Sequence, residues 1–337
     1  MLRAETHPTE IAYDVLTRLS EVEAIAAEWE VLLERSPCNR SFSSPEWYIA
    51  ACRSDPEISP YVVVARRGAS LFGILPLAKT RAGATLTFAT TLADYNDIVA
   101  AAEDLAVTAG LLNHALAHTR GYDKLVLTDI RQDSNCARAL PLIKPGNNTD
   151  QILQVYATCP VVHFPSSYDE YLQSRSKAFQ KELRHVQRKA VRNNLMVKQL
   201  EPMTLPASQL PGVFLSLHLD RQRTGSCFER ETAQSFIKEA LPPLFAKRKL
   251  RVFALFEEER MVAINLCMLG VDSLCYWNGG FLAEAGCWSP GKLLIETGIK
   301  QSYDMGLKEY DFLRGSEDYK LDWANDARRI YRMELKT

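Results

Sequence analysis

The densest run of reactive side chains is Asp311-Phe-Leu-Arg-Gly315-Ser-Glu317-Asp-Tyr319-Lys320-Leu-Asp-Trp323, a strand end entering a polar and aromatic loop. Strand ends that face a cleft are common places for active sites, and Asp, Glu, Tyr and Lys together can move protons. The same composition also suits a salt-bridged loop. A second group, Trp288-Ser289-Pro290-Gly291-Lys292, opens a helix directly after a strand. Free N–H groups and the positive end of the helix dipole meet at such a point, Gly permits close approach and Lys adds charge, so a pyrophosphate could sit there. An ordinary helix start, with Ser289 as cap and Pro290 in the first helical position, explains the same residues.

A third group is the helix SKAFQKELRHVQRKAVRNN, where Lys177, Lys181, Arg184, Arg188 and Arg192 recur at helical spacing as one cationic stripe. Phe179, Leu183, Val186 and Ala190 fall on the opposite side, so the helix can dock on a core while showing a basic face. Its single acid is Glu182. Like charges stand four residues apart, which is mildly destabilising and points to an anionic partner. A nucleotide phosphate or an acidic carrier protein suits it better than single-stranded RNA, which wants interleaved aromatics. His218 lies in SLHLDRQRTG with Asp220 two residues on; such residues do not share a helix face, so a relay within the helix is not expected. His114-x-x-x-His118 has no acid between its imidazoles and sits in a plain amphipathic helix, so no metal site is expected.

The rest of the chain must position these groups. It has 337 residues, 40 Lys+Arg against 41 Asp+Glu, a net charge of -1 and 47% hydrophobic residues, enough for two domains. That balance gives no global attraction to DNA or to an anionic membrane. The longest apolar stretch, roughly Met261 to Val271, is too short to span a bilayer, and the opening residues carry acids rather than an apolar signal segment. The 8 Cys include no C-x-x-C pair, which suits buried thiols in a reducing cytoplasm.

The chain reads as two rounds of one plan: helices, a meander of strands, a helix ending at Gly121 or Gly306, and a further strand. Ser20-x-x-Glu23 and Ser167-x-x-Glu170 look like capping boxes, and Pro45 starts a helix. In the second round, helices are expected over roughly 168–193 and 212–224. Two α+β units follow, divided near Cys159 to Ser167, so that domains of 1–160 and 161–337 are expected.

The C-terminal half also resembles a known pattern: Tyr276-Trp-Asn-Gly-Gly280, Ser289-Pro-Gly291 before a Leu-Leu helix, Gly306, Asp311-Phe-Leu-Arg-Gly315, Glu317, Tyr319-Lys320 and Trp323. It is similar to the CelD-like acyltransferases of the GNAT superfamily. The basic helix, the Leu217-His218 helix ending at Gly225, Phe42-x-x-Pro45-x-Trp47 and Asp94-Tyr95-x-Asp97 fit the same family, so the resemblance covers nearly the whole chain. It implies a tandem GNAT fold like that of Fem aminoacyltransferases, with two mixed, mostly antiparallel sheets flanked by helices. It further implies direct attack of an amine on a thioester bound by the second domain, with no metal.

The resemblance assigns Ser289, Pro290, Gly291 and Lys292, with Lys181, Arg184 and Arg188 nearby, to the donor's phosphates. His218 becomes the candidate base or acceptor contact, Tyr319 the candidate acid, and Asp311 their catalytic neighbour. Tyr276, Asn278, Glu317 and Lys320 become substrate contacts, and a backbone N–H on Leu274–Phe281 would polarise the thioester carbonyl. Pro290 stands where the superfamily commonly has a free N–H, which leaves acyl carrier protein beside acyl-CoA as donor. The first domain has acids, Glu103-Asp104, before its Leu-Leu helix, and is expected to shape the acceptor or acyl pocket.

The function implied is a cytoplasmic N-acyltransferase, acting on an amino sugar or on a Lys or ornithine side chain of a peptide. Lipidation in natural-product biosynthesis is within its range. Fem-like aminoacyl transfer from tRNA and a catalytically silent scaffold are the alternatives. A ping-pong route through Cys275 or Cys287 is disfavoured because neither has an adjacent base.

Overall fold

The computed structural model describes residues 10–81, 85–90, 92–117, 122–143, 151–222 and 224–336. Two sequence expectations, the helix end at Gly121 and the imidazole of His118, lie outside them. The chain forms two compact units, residues 1–157 with 329–337 and residues 158–328.

In chain order the first unit contains β1 (Ala12–Leu16), α1 (Leu19–Ala24), α2 (Ala26–Glu34), α3 (Pro45–Ser54), β2 (Ile58–Arg67), β3 (Ser70–Thr80) and β4 (Thr85–Phe88). These are followed by β5 (Val99–Ala100), α4 (Leu105–Ala117), β6 (Lys124–Arg131) and α5 (Asn135–Ala139). Its strands run β1-β2-β3-β4-β6, with β5 on β3 and β6 paired on its far side by the last strand of the chain. All of these pairs are antiparallel except β4 with β6. Pro45 holds the first helical position of α3, and the Ser44 hydroxyl accepts from the Trp47 amide, because that ring costs no helical hydrogen bond there. Helix α1 starts two residues earlier than Ser20-x-x-Glu23 suggests: Glu21, not Glu23, accepts the amides of Thr17 and Arg18.

The second unit takes up β7 (Gln151–His163) from residue 158, then α6 (Tyr168–Ser174), α7 (Lys177–Arg192), β8 (Leu195–Leu200), α8 (Leu210–Arg221) and α9 (Glu231–Ala246). It ends with β9 (Leu250–Glu257), β10 (Arg260–Leu269), β11 (Ser273–Phe281), α10 (Pro290–Asp304), β12 (Glu309–Asp311) and α11 (Asp318–Trp323). The single helix expected over 168–193 is two, since Ser176 leaves helical geometry and caps α7 by accepting from the Phe179 amide at 3.1 Å. The strands run β7-β12-β11-β10-β9-β8.

Two irregularities of this sheet shape the site. Strands β11 and β12 are parallel partners only from Ser273–Cys275 to Glu309–Asp311, so the rest of β11 leaves β12 behind. Trp277 is an extra residue between pairs Cys267–Tyr276 and Leu266–Asn278, a bulge that re-aims the strand. Helix α8 presses on β11 so closely that a Cβ at Gly280 would lie 2.3 Å from the His218 nitrogen.

The final strand, β13 (Asp326–Lys336), leaves the second unit and pairs over Ile330–Lys336 with Lys124–Arg131 of β6. A division at 160/161 puts these residues in the second domain; their ladder bonds to β6 place residues 329–337 in the first. Among the described residues no helix is long and apolar enough to cross a membrane, and no group of His, Cys, Asp or Glu is arranged to hold a metal ion.

Candidate active site

A cavity of about 200 Å³ opens in the second unit between β10, β11 and the start of α10. Of the residues singled out in the sequence, it gathers Tyr276, Ser289, Pro290, Gly291, Lys292 and Tyr319. Ser289 takes the left-handed conformation (φ 54°, ψ 52°) and its hydroxyl makes no capping bond, so it is not the ordinary cap that the sequence allows. Non-glycine residues reach that region at a cost, which is commonly met where a loop must present groups to a ligand. Pro290 is the first helical residue, and Gly291, next in line, has an amide with no intrahelical acceptor. A Cβ at Gly291 would meet nothing within 4 Å, so packing does not demand glycine there. The helix start is open at Gly291.

Lys292 at the same turn is not a free cation. Its ammonium pairs with Glu182 of α7 and lies 5.8 Å from the centre of the Phe179 ring. Lys189 of the same helix donates to the Cys287 carbonyl at 2.6 Å, which ties α7 to the loop before α10. Phe179, Leu183 and Val186 are buried, and Lys177, Lys181, Arg184, Arg188 and Arg192 are exposed, as the stripe requires. Lys181, Arg184 and Arg188 lie outside the cavity lining.

The phenols of Tyr276 and Tyr319 share the lining of the cavity, and each acts on the other's ionisation. Burial pushes Tyr276 up to about 12, with Arg221 and the Tyr319 hydroxyl opposing the rise. Tyr319 is driven higher still by burial, by Tyr276 and by Glu317. Both phenols are protonated at neutral pH and can act as acids rather than bases.

The other candidates lie elsewhere. His218 is 4% exposed; Nδ1 lies 3.0 Å from the Gly279 carbonyl and Nε2 2.9 Å from the Ser226 hydroxyl. A carbonyl only accepts, so Nδ1 carries the proton and Nε2 accepts from Ser226. Burial holds the imidazole below its ordinary pKa. Both nitrogens are occupied, and the ring packs among Phe214 and Phe228. Asp311, fully buried, accepts from Arg328 at 2.8 Å and from the Leu313 amide at 2.7 Å. Lys320 is 5% exposed and donates to the Arg314 carbonyl at 2.7 Å, with Glu317 3.0 Å away. Asn278 accepts from the Gly279 amide at 2.8 Å. None of these five residues lines the cavity. Cys275 is buried, with its thiol driven well up by burial, and Cys287 donates weakly to the Glu284 carbonyl.

Two polar lining residues escaped the sequence reading. Arg221, at the end of α8, places its guanidinium 5.2 Å from the centre of the Phe281 ring. It stands one turn after His218, on the same helix face, which was the available signal. Asn265 is the one side chain with hydrogen-bonding N or O atoms in the apolar run Met261–Val271, and a polar residue in such a run has either an internal partner or a task.

Residues 179–321 match the family model described as acetyltransferase (GNAT) domain. No curated protein matches the chain in sequence. Among solved structures, FemX is similar at 11% identity, covering 95% of this chain and 96% of that one with a TM-score of 0.64. The structure of L-PGS from Bacillus licheniformis is similar at 13% identity over 91% and 90%, with a TM-score of 0.61. The C-terminal domain (DUF2156) of a putative lysylphosphatidylglycerol synthetase from Agrobacterium fabrum follows at 12% identity over 94% and 92%, TM-score 0.60. At such identities the likeness is one of fold. Residues 179–321 are thus similar in sequence to a GNAT acetyltransferase domain, and the chain shares the fold of these solved structures over nine-tenths of its length.

Proposed function

We propose that this protein is an N-acyltransferase that moves an acyl group from a phosphopantetheine thioester, borne by coenzyme A or an acyl carrier protein, to a primary amine. The supporting observation is that the open Gly291 cradle and the Tyr276–Tyr319 pair line one cavity. A donor whose phosphate rests on the start of α10 can then lay its thioester along β11 toward the two phenols. The amine attacks the thioester carbonyl, the carbon–sulfur bond breaks, a phenol of the pair protonates the departing thiolate, and the proton shed by the new amide nitrogen returns to that phenolate. The part of β11 that has parted from β12 offers backbone N–H groups to the carbonyl oxygen. No carboxylate or imidazole is among the lining residues, so in this reading the amine arrives neutral and its rate rises with pH through the amine's own pKa.

The acceptor in this reading is an amino sugar or a Lys or ornithine side chain of a peptide. The exposed stripe of α7, on the helix tied to the loop before α10, would receive an acidic carrier protein. All eight cysteines are free, which suits a reducing cytoplasm. Incubating the protein with acyl-CoA and acyl-carrier donors and a panel of amines, and following product mass, tests the proposal; no transfer from any donor overturns it.

The stripe of α7 also favours a second reading, aminoacyl transfer from charged tRNA. It requires that ribonuclease abolish activity and that binding fall steeply with salt.

A further inference from the structure

Asn265 is 3% exposed, lines the cavity, and its Nδ2 has no hydrogen-bond partner among the described residues. A buried amide donor left unmet carries its full desolvation penalty, so the fold accepts a loss here that a ligand can remove. Room for the side chain comes from Gly279, its cross-strand neighbour on β11. A Cβ at Gly279 would stand 2.5 Å from the Asn265 Oδ1 and 3.1 Å from the Tyr276 hydroxyl, so amide and phenol close over the same spot. The surroundings are otherwise apolar: Ala263, Leu294 and Ile295 complete that part of the lining.

Depth decides which part of a donor meets Asn265. Ser289, Gly291 and Lys292 are half-buried, whereas Ala263, Asn265 and Tyr276 are 1%, 3% and 8% exposed. A thioester donor with its phosphate at the start of α10 therefore sends its far end, the acyl group, to the closed end. A plain alkyl group there would seal Nδ2 against carbon.

We infer that Asn265 is a specificity-determining residue that selects acyl groups bearing a hydroxyl or carbonyl oxygen near the thioester, its Nδ2 donating to that oxygen. The inference rests on the acyltransferase reading above. It sets this site apart from one that takes simple fatty chains, because a polar group built to meet a ligand oxygen rejects the analogue that lacks it.

The test is calorimetric binding of the full chain to 2-hydroxybutyryl-, 3-hydroxybutyryl- and butyryl-phosphopantetheine, a handle shared by coenzyme A and carrier protein. The expected result is that one hydroxybutyryl compound binds about tenfold tighter than butyryl, and that Asn265→Leu brings the two within about twofold without weakening butyryl. Equal affinities in the unmodified protein overturn the inference, and so does a preference that survives in Asn265→Leu. If neither these thioesters nor phosphopantetheine itself binds, the donor reading falls and this inference falls with it.

Discussion

The ammonium of Lys292 is held by Glu182, the single carboxylate of α7. The lysine at the start of α10 is thus already committed to an acid on a neighbouring helix, and in the proposed reading a donor phosphate has to compete for it.

Glu182→Gln releases that lysine. Its side chain is 18% exposed and that of Glu182 52%, so the pair is worth at most about 1 kcal/mol. Coenzyme A is expected to bind roughly threefold to fivefold tighter to the variant in low salt, by calorimetry, with the gain shrinking as salt rises. Unchanged or weaker binding would show that Lys292 does not reach the phosphate.

Tyr276→Phe and Tyr319→Phe should each lower kcat by about 10²–10⁴ while leaving KM for the donor within a few-fold. Because the two phenols act as a pair, the double variant should lose little more than either single one. Additive losses in steady-state kinetics would separate their roles.

Gly291→Leu places a side chain where a Cβ meets nothing within 4 Å. Thermal unfolding should occur at the same temperature or slightly higher, since glycine is a poor helix former, while donor binding weakens tenfold or more. A variant that binds donor normally would remove the helix start from the site.

Protonation of His218 is opposed by burial, so its folded pKa lies below its unfolded value near 6.5. The unfolded chain then binds the extra proton first, and stability is full above about pH 6.5 and declines as pH falls through the folded pKa. His218→Asn, whose amide can keep the bond to the Gly279 carbonyl, should flatten the denaturation midpoint over that window without abolishing activity. A large loss of kcat with an unchanged midpoint profile would restore the histidine as a base.

Asp311→Ala should cost stability before chemistry. Its carboxylate is fully buried and Arg328, 11% exposed, loses a partner at 2.8 Å, which makes a penalty of about 3 kcal/mol the expected result of urea unfolding. A folded variant of normal stability with no turnover would return Asp311 to the reacting centre.

Local pattern carried much of this molecule. The faces of α7 follow from the 3.6-residue period alone, and Phe179, Leu183 and Val186 are buried as that period requires. The argument that His218 and Asp220 do not share a face also holds: Asp220 accepts from the Ala283 amide, while His218 turns to Gly279. Pairings across long stretches of chain were illegible. Nothing near Asp311 announces Arg328, 17 residues on, and nothing in Asn265 announces Gly279 on the next strand. Strand β13 hid for a related reason, since a register shift between Tyr331 and Met333 breaks the two-residue alternation by which strands are recognised. Tyr276 and Tyr319 were both legible as residues, but their meeting in one cavity needed the fold.

The crossing of β13 has a consequence for the newborn chain. As synthesis proceeds, β6 leaves the ribosome with one edge bare, and its partner is the stretch Ile330–Lys336, made some two hundred residues later. Throughout that interval the first half carries an open strand of apolar character, KLVLTDIR, the kind of edge on which chains aggregate. A shortened product lacking its final strand would keep every residue of the cavity and still be a poor protein, because what it lost would be the closure of the other half.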